Sequence, residues 1–271
     1  MTILAHSRHT VRRFYDEVLN GGDRAAVGAL FTENYIPHVP EHRTMPKLPT
    51  GRIALERRLA NAGRLPNTAH RIVADGDFVF AQVLYRTAAP VNGADIFRLN
   101  ADGKIAEHWN LRQALANESE ADIAHRFAGP GDPDASQSAE RNRERAYALY
   151  RDVWSKGDAK LALAFYEKSY IQHNPHIPSG ADRIAGIIAN NIRAYMEVHG
   201  TDYPIHIRHL GAQGDLVYAH QDIFMAGLGR NDGDRSSVMD IFRIDANGQF
   251  AEHWDVCHME SDGLPDHSTL F

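Results

Sequence analysis

Asp240, His253 and Asp255 lie close together in the chain, and each can hold or move a proton. General acid–base chemistry needs titratable groups of this kind whose proton affinities differ. His220 and Asp222 form one i,i+2 pair, and His253 and Asp255 form another. On a β-strand such pairs share a face. Two imidazoles and two carboxylates on one concave surface could also bind zinc or iron. His173 and Asn174 precede a proline and add another imidazole and an amide. Acid–base catalysis, metal-assisted catalysis and plain ligand binding are all open on these residues alone.

The elements that position these groups are written twice. Residues 95–109 read DIFRLNADGKIAEHW, and residues 240–254 read DIFRIDANGQFAEHW. Three further blocks recur in the same order. Tyr15 to Asp23 matches Tyr150 to Asp158, Tyr35-Ile36-Pro37-His38 matches Tyr170-Ile171-Gln172-His173, and Gly76-Asp77 matches Gly214-Asp215. Each copy is the size of a domain of roughly 125 residues, too long for a solenoid repeat. The reading is a first domain over 1–125, a linker over 126–139 and a second domain over 140–271.

Apolar residues at helical spacing (Val11, Phe14, Tyr15, Val18, Leu19) recur as Ala146, Leu149, Tyr150, Val153 and Trp154. Further helices are expected after Gly22-Asp23 and Gly157-Asp158 and over about 52–62 and 181–198. The period then changes to two, with strands expected at 69–74, 78–87, 94–99 and 104–112 and at 204–210, 216–226, 236–244 and 249–258. Asp102-Gly103 and Asn247-Gly248 are hairpin turn signals. Helices followed by an antiparallel meander make each copy an α+β domain.

Composition narrows the function classes. The net charge of −6 and the lack of a basic stripe argue against a nucleic-acid partner. No apolar run is long enough to span a bilayer. The N-terminus lacks the build of a signal peptide, which points to a cytoplasmic protein. The single cysteine, Cys257, excludes an intramolecular disulfide.

Together these blocks resemble the SnoaL-like branch of the nuclear transport factor 2-like superfamily. The carrying residues are YIQHNP at 170–175, GDLVYAH at 214–220, and Asp240-Ile241-Phe242-Arg243 with Glu252-His253-Trp254-Asp255. The resemblance implies a cone in which a curved antiparallel sheet wraps a pocket closed by helices. It implies cofactor-free chemistry on a small molecule: polyketide cyclisation, isomerisation, dehydration or epoxide opening. It also admits members without catalysis. Single-domain relatives pair through their sheets, so it implies an intrachain pseudo-dimer, with a homo-oligomer also open.

The superfamily's ketosteroid isomerases set the expected inner face. By resemblance, Asp240 and Asp95 match their oxyanion-hole aspartate, and Tyr150 and Tyr15 match their oxyanion tyrosine. A protonated Asp240 would then donate beside the Tyr150 hydroxyl. Their general base precedes the proline; here Asn174 stands there, or Val39 in copy one, so another group must take the proton. The pocket of copy two is expected to hold Tyr150, Asn174, Tyr218, His220, Asp222, Asp240, His253 and Asp255. Copy one offers Tyr15, Val39, Phe80, Gln82, Leu84, Asp95, His108 and Asn110, with His38 matching His173.

Copy one is poorer in titratable groups, so the second domain is expected to hold the working site. There Asp255 or His253 would move the proton, and Asp240 with Tyr150 would stabilise an enolate. His173, also a candidate base, would position substrate with His220. Tyr218, Asp222, Asn174 and Trp254 would bind substrate, although Trp254 also reads as packing between sheets. The metal alternative uses His220, Asp222, His253 and Asp255.

Overall fold

The computed structural model describes residues 2–38, 49–224 and 235–259. Val39, most of the insertion at 41–49 and the tail after Met259 lie outside the described residues. The chain divides into two compact units, one ending at Glu118 and the next beginning at Ser119.

The first unit runs α1 (Ile3–Arg13), α2 (Ala25–Leu30), β1 (Phe31–His38), α3 (Arg52–Ala62), β2 (Asn67–Asp75), β3 (Phe78–Tyr85), β4 (Val91–Leu99) and β5 (Ile105–Ala114). The second opens with α4 (Glu120–Phe127). It continues through α5 (Ala139–Ala148), α6 (Ala159–Phe165), β6 (Tyr166–Gln172), α7 (Ala181–Ile187), α8 (Arg193–His199), β7 (Ile205–Gln213), β8 (Leu216–Phe224), β9 (Arg235–Ile244) and β10 (Phe250–Met259). The two sheets have the same five-strand topology, β1-β5-β4-β3-β2 and β6-β10-β9-β8-β7. The meander is antiparallel as its alternation predicts. The first strand of each sheet, however, runs parallel to the last, so both sheets are mixed. That strand is preceded by a helix rather than a hairpin, which leaves its direction free of turn geometry.

Gly103 and Gly248 sit at φ +74° and +83° in the hairpins between the last two strands. Asn100 and Asp245 accept from the backbone on the far side of these turns, which pins the register. This turn therefore sets which residues of β4 and β5, or β9 and β10, lie opposite one another.

The helices pack on one face of each sheet. In the first domain Val11, Phe14, Val18 and Leu19 meet Val79, Ala81, Val83 and Phe97. In the second, Ala146, Leu149 and Val153 meet Val217, Ala219, Phe242 and Phe250. Burying each large apolar side chain contributes about 1.5–3 kcal/mol, so this face is the main source of each domain's stability. Helices α1 and α5 each run on into a π-helical stretch, Phe14–Asn20 and Leu149–Trp154. Such widened turns are rare and are found often at functional sites. Tyr15 and Tyr150 sit at its start in both copies.

The stretch expected as a linker is only partly irregular. Arg126 and Phe127 end α4, a helix capped by Ser119 and Asp122 in a reciprocal capping box. The stretch contacts the second domain: the Asp134 N–H donates to Asp215, and the Ala128 carbonyl accepts from Trp254.

Candidate active site

Residues directly opposite on antiparallel strands point to one face. Ala219 lies opposite Asp240, and Asp240 lies opposite Asp255. Phe242 lies opposite both Val217 and His253. Since Val217, Ala219 and Phe242 are in the helix-side core, Asp240, His253 and Asp255 face inward as well.

Asp240 is the hub. The Tyr150 hydroxyl donates to its Oδ2 at 2.7 Å, and the Gln221 amide donates to the same oxygen. His253 Nε2 lies 3.0 Å from its Oδ1. Burial, and then the Asp240 carboxylate, push the Tyr150 phenol well above its ordinary pKa, so its proton stays in place.

The protonation of His253 follows from its other neighbour. The Asn174 backbone N–H, which can only donate, donates to Gln172 Oε1 at 3.0 Å. The Gln172 amide nitrogen therefore faces His253 Nδ1, 2.8 Å away, and donates to it. His253 is thus the neutral tautomer with its proton on Nε2, and it donates to Asp240. With three donors converging, Asp240 acts as an acceptor. The expectation of a protonated Asp240 donating a hydrogen bond is corrected on this ground.

Asp255 is held differently. The Asn174 side-chain amide donates to both of its oxygens, at 3.0 and 2.9 Å. Arg126, fully buried at the end of α4, comes within 3.4 Å of Oδ1. One carboxylate is saturated by neutral donors. The other is held by an amide, with a cation beside it.

The first domain repeats the hub and then closes it. Asp95 accepts from Tyr15 and Tyr85 at 2.7 Å each, from His108 at 3.1 Å and from Arg112 at 2.9 Å. Burial alone would raise the Asp95 carboxyl, but Arg112, His108 and the Tyr85 hydroxyl outweigh it and hold the pKa well below the usual carboxylate range. The Arg112 guanidinium stacks over the Tyr85 ring at 4.4 Å. Gly93 makes room for both: a Cβ there would lie 2.5 Å from Tyr85 and 2.9 Å from Arg112. By register the second domain has Val238, Ile223 and Cys257 where the first has Gly93, Tyr85 and Arg112. Access differs accordingly. Asp95 and His108 are 0% exposed, whereas Asp240 and His253 keep 8% and 9%.

Several expected site residues lie elsewhere. Tyr218, His220 and Asp222 do share a face, but their register partners Ile241, Met239 and Ser237 put them on the side of the sheet away from Asp240. His220 contacts His209 and Ser237 there, and Asp222 pairs with Arg208. The four residues of the metal alternative are thus split across the two faces. No group of three or more potential metal ligands occurs among the described residues. Phe80, Gln82 and Leu84 of copy one lie on the same outer side.

His173 and Trp254 are also outside the cup. The His173 ring stacks on Trp254 at 4.5 Å and its Nε2 meets Glu252 at 2.9 Å. His38 repeats this arrangement with Trp109 at 4.4 Å and Glu107 at 2.8 Å. Both copies keep this arrangement on the face of the sheet away from the buried Asp. Asn174 and Tyr150 are in the cup, as are Tyr15, Asp95 and His108 in theirs.

Sequence reasoning does not single out Gln172, Gln221, Tyr85 or Arg112, which bond within the two hubs. Arg126 was assigned to the linker. The amides carry no charge change, so a search for titratable groups passes over them. A comparison of the copies does hold a signal, because Val83 becomes Gln221, Tyr85 becomes Ile223 and Arg112 becomes Cys257.

The family model for the SnoaL-like domain matches twice, over residues 11–108 and 147–253. The chain belongs to the SnoaL-like domain family as a tandem pair. It is similar in structure to a protein from Kribbella flavida named provisionally a ketosteroid isomerase. That likeness has 23% identity, 42% of this chain and 82% of that one covered, and a TM-score of 0.37. It is similar to an epoxide hydrolase of M. tuberculosis at 17% identity, with 41% and 84% covered and a TM-score of 0.35. It is similar to an NTF2-like protein of unknown function from Mesorhizobium loti at 22% identity, with 42% and 95% covered and a TM-score of 0.35. No curated protein matches the chain.

Proposed function

We propose that the second domain is a cofactor-independent enzyme that moves a proton next to a carbonyl on a small, partly hydrophobic molecule. Aldol-type cyclisation, isomerisation and dehydration all belong to this class. The observation that carries the reading is the unequal treatment of two neighbouring carboxylates on the inner face of the second sheet. Asp240 is spent on organising Tyr150, His253 and Gln221. Asp255 is held by the Asn174 amide with the Arg126 cation beside it, and the matching residue in the first domain is Asn110, which cannot take a proton.

In this mechanism Asp255 removes the α-proton. Its negative charge is cancelled as it does so, and the Arg126 guanidinium then faces the enolate that has formed. Charge moves from carboxylate to enolate beside a fixed cation in a poorly solvated site, where such preorganised charges act strongly. Asp240 acts as a positioning residue, not as an oxyanion donor. His253, pinned as a neutral donor, ties Asp240 to Gln172 and hence to Asn174, which holds Asp255. Apolar neighbours Ile223 and Val238 pack together with partly buried Ile205 and Cys257 and favour a hydrophobic substrate body.

The test is solvent deuterium uptake by a panel of small hydrophobic ketones, followed by NMR. Uptake catalysed by the full chain and lost in Asp255→Asn supports the reading. Ligand capture from a metabolite extract with no uptake and no product by mass spectrometry would instead make this a binding protein.

A further inference from the structure

Gln221 is the buried polar group on the inner face whose bonding is left half complete. Only 3% of the residue is exposed. Its amide nitrogen donates to Asp240, which fixes the amide orientation, because a carboxylate accepts and the carbonyl end could not serve there. Oε1 is therefore turned away from Asp240 as a pure acceptor, and it has no hydrogen-bond partner among the described residues. Its strand partners are Ile207 and Val238, both apolar. An acceptor buried in such surroundings without a donor is costly.

The first domain supplies a control. The same position there is Val83, part of the closed apolar core. In that domain Tyr85 and Arg112 complete the circuit around Asp95 with protein groups alone. In the second domain those two fillers are gone, and an amide has been added with one end satisfied by Asp240 and the other left open. Each partner of Asp95 meets it with a protein donor, whereas Gln221 Oε1 meets none among the described residues.

We propose that Gln221 Oε1 accepts a hydrogen bond from a hydroxyl of the ligand, so that the second domain selects hydroxylated apolar molecules over their deoxy and ether analogues. This rests on the reading of that cup as the working site, and it adds the substrate class: a compact apolar body bearing a hydroxyl, near the carbonyl that Asp255 addresses. Gln221 then acts in specificity, while proton transfer stays with Asp255. Asp240 has a second duty, since its grip on Nε2 is what presents Oε1 to the ligand.

The experiment is calorimetric titration of the full chain with three matched probes: indan-1-ol, 1-methoxyindane and indane. The expected result is at least ~10-fold tighter binding of the alcohol than of the ether or hydrocarbon, the scale of one buried hydrogen bond. In Gln221→Met, similar in size and without the acceptor, that preference should collapse to less than about threefold while indane binding is kept. Equal binding of the three by the native chain, no binding of any of them, or a preference that survives Gln221→Met would overturn the proposal. The native-chain series is decisive even where the variant fails to fold. Failure of the proton-transfer reading looks different. The alcohol preference would persist and Asp255→Asn would leave it intact, with no deuterium uptake by any ketone. Deuterium uptake without an alcohol preference would sink the Gln221 proposal alone.

Discussion

Asp240 and Asp255 stand directly opposite each other on adjacent antiparallel strands. Like charges so placed are destabilising unless each has its own donors. Here Tyr150, His253 and Gln221 serve one, and Asn174 with Arg126 serves the other. In the first domain the corresponding pair is Asp95 and Asn110, which removes the repulsion and the second carboxylate together.

Replacing Asp255 by Asn makes the second domain resemble the first at this point. Deuterium uptake should fall by about 10²–10⁴, the usual contribution of a positioned acid or base. The change also takes the carboxylate from the buried Arg126, so stability is measured alongside and uptake is compared per folded molecule. A measured loss below tenfold in a folded variant would remove Asp255 from the proton-transfer role.

Asp95→Asn should lower stability without lowering uptake. It leaves the buried Arg112 without its carboxylate, and breaking a buried pair from one side costs about 3–5 kcal/mol. Denaturant unfolding should show that loss, while uptake per folded molecule changes little. The acid dependence is set by the same pair. The folded pKa of Asp95 lies below its unfolded value, so the unfolded chain binds more protons as pH drops past about 4. The stabilisation is complete above that point and is lost as pH falls. Arg112→Met should weaken this acid dependence, as unfolding curves at pH 3 and 5 would show.

The hairpin between β9 and β10 was readable because Asn247-Gly248 sets its register, and the inward placement of Asp240, His253 and Asp255 follows. The face of β8 was not readable. The Gly214-Asp215 turn fixes the pairing of β8 with β7, but residues 225–234 separate β8 from β9, so no short turn relates its phase to that of Asp240. Both of its faces are buried, as Tyr218 and Ala219 at 0% exposure show, so polarity does not mark the inside. His220 and Asp222 looked like a polar inner stripe, and the inner polar group is Gln221. Arg126 was hidden for another reason: its segment is rich in Gly and Pro beyond residue 128, and its contact with Asp255 spans 129 positions of sequence.

His220 gives a stability prediction on the outer face. Burial first, then His209 and Arg208, lower its pKa from the ordinary 6.5 to about 3. A depressed histidine binds its proton in the unfolded chain first, so stability is full above about 6.5 and is lost as pH falls towards 3. Between pH 6.5 and 5 the loss is about 2 kcal/mol, at ~1.36 kcal/mol per unit. The first domain uses Gln82 at this position, bonded to Arg71 at 2.7 Å. His220→Gln should therefore flatten the pH dependence of unfolding over this range. A variant with the native slope would place the titration elsewhere.

His173 and His253 separate brace from site. Both are buried imidazoles beside a carboxylate, so burial and chemistry alone do not distinguish them. Their faces do: His253 joins Gln172 to Asp240 inside the cup, whereas His173 joins Trp254 to Glu252 outside it. Glu252 also lies 3.3 Å from Arg243, so it keeps a cationic partner when His173 is changed. His173→Gln should cost about 1–3 kcal/mol of stability and leave uptake within about twofold. His253→Gln cannot keep both bonds at ring geometry, and it frees Gln172 from the orientation that holds Asn174 on Asp255. Uptake should then fall about tenfold or more, with a stability loss of the same order as for His173→Gln, because small displacements of a positioned base are expensive. Measuring both variants by unfolding and by deuterium uptake sorts them. If His173→Gln proved the more damaging to uptake, the working face would be the outer one.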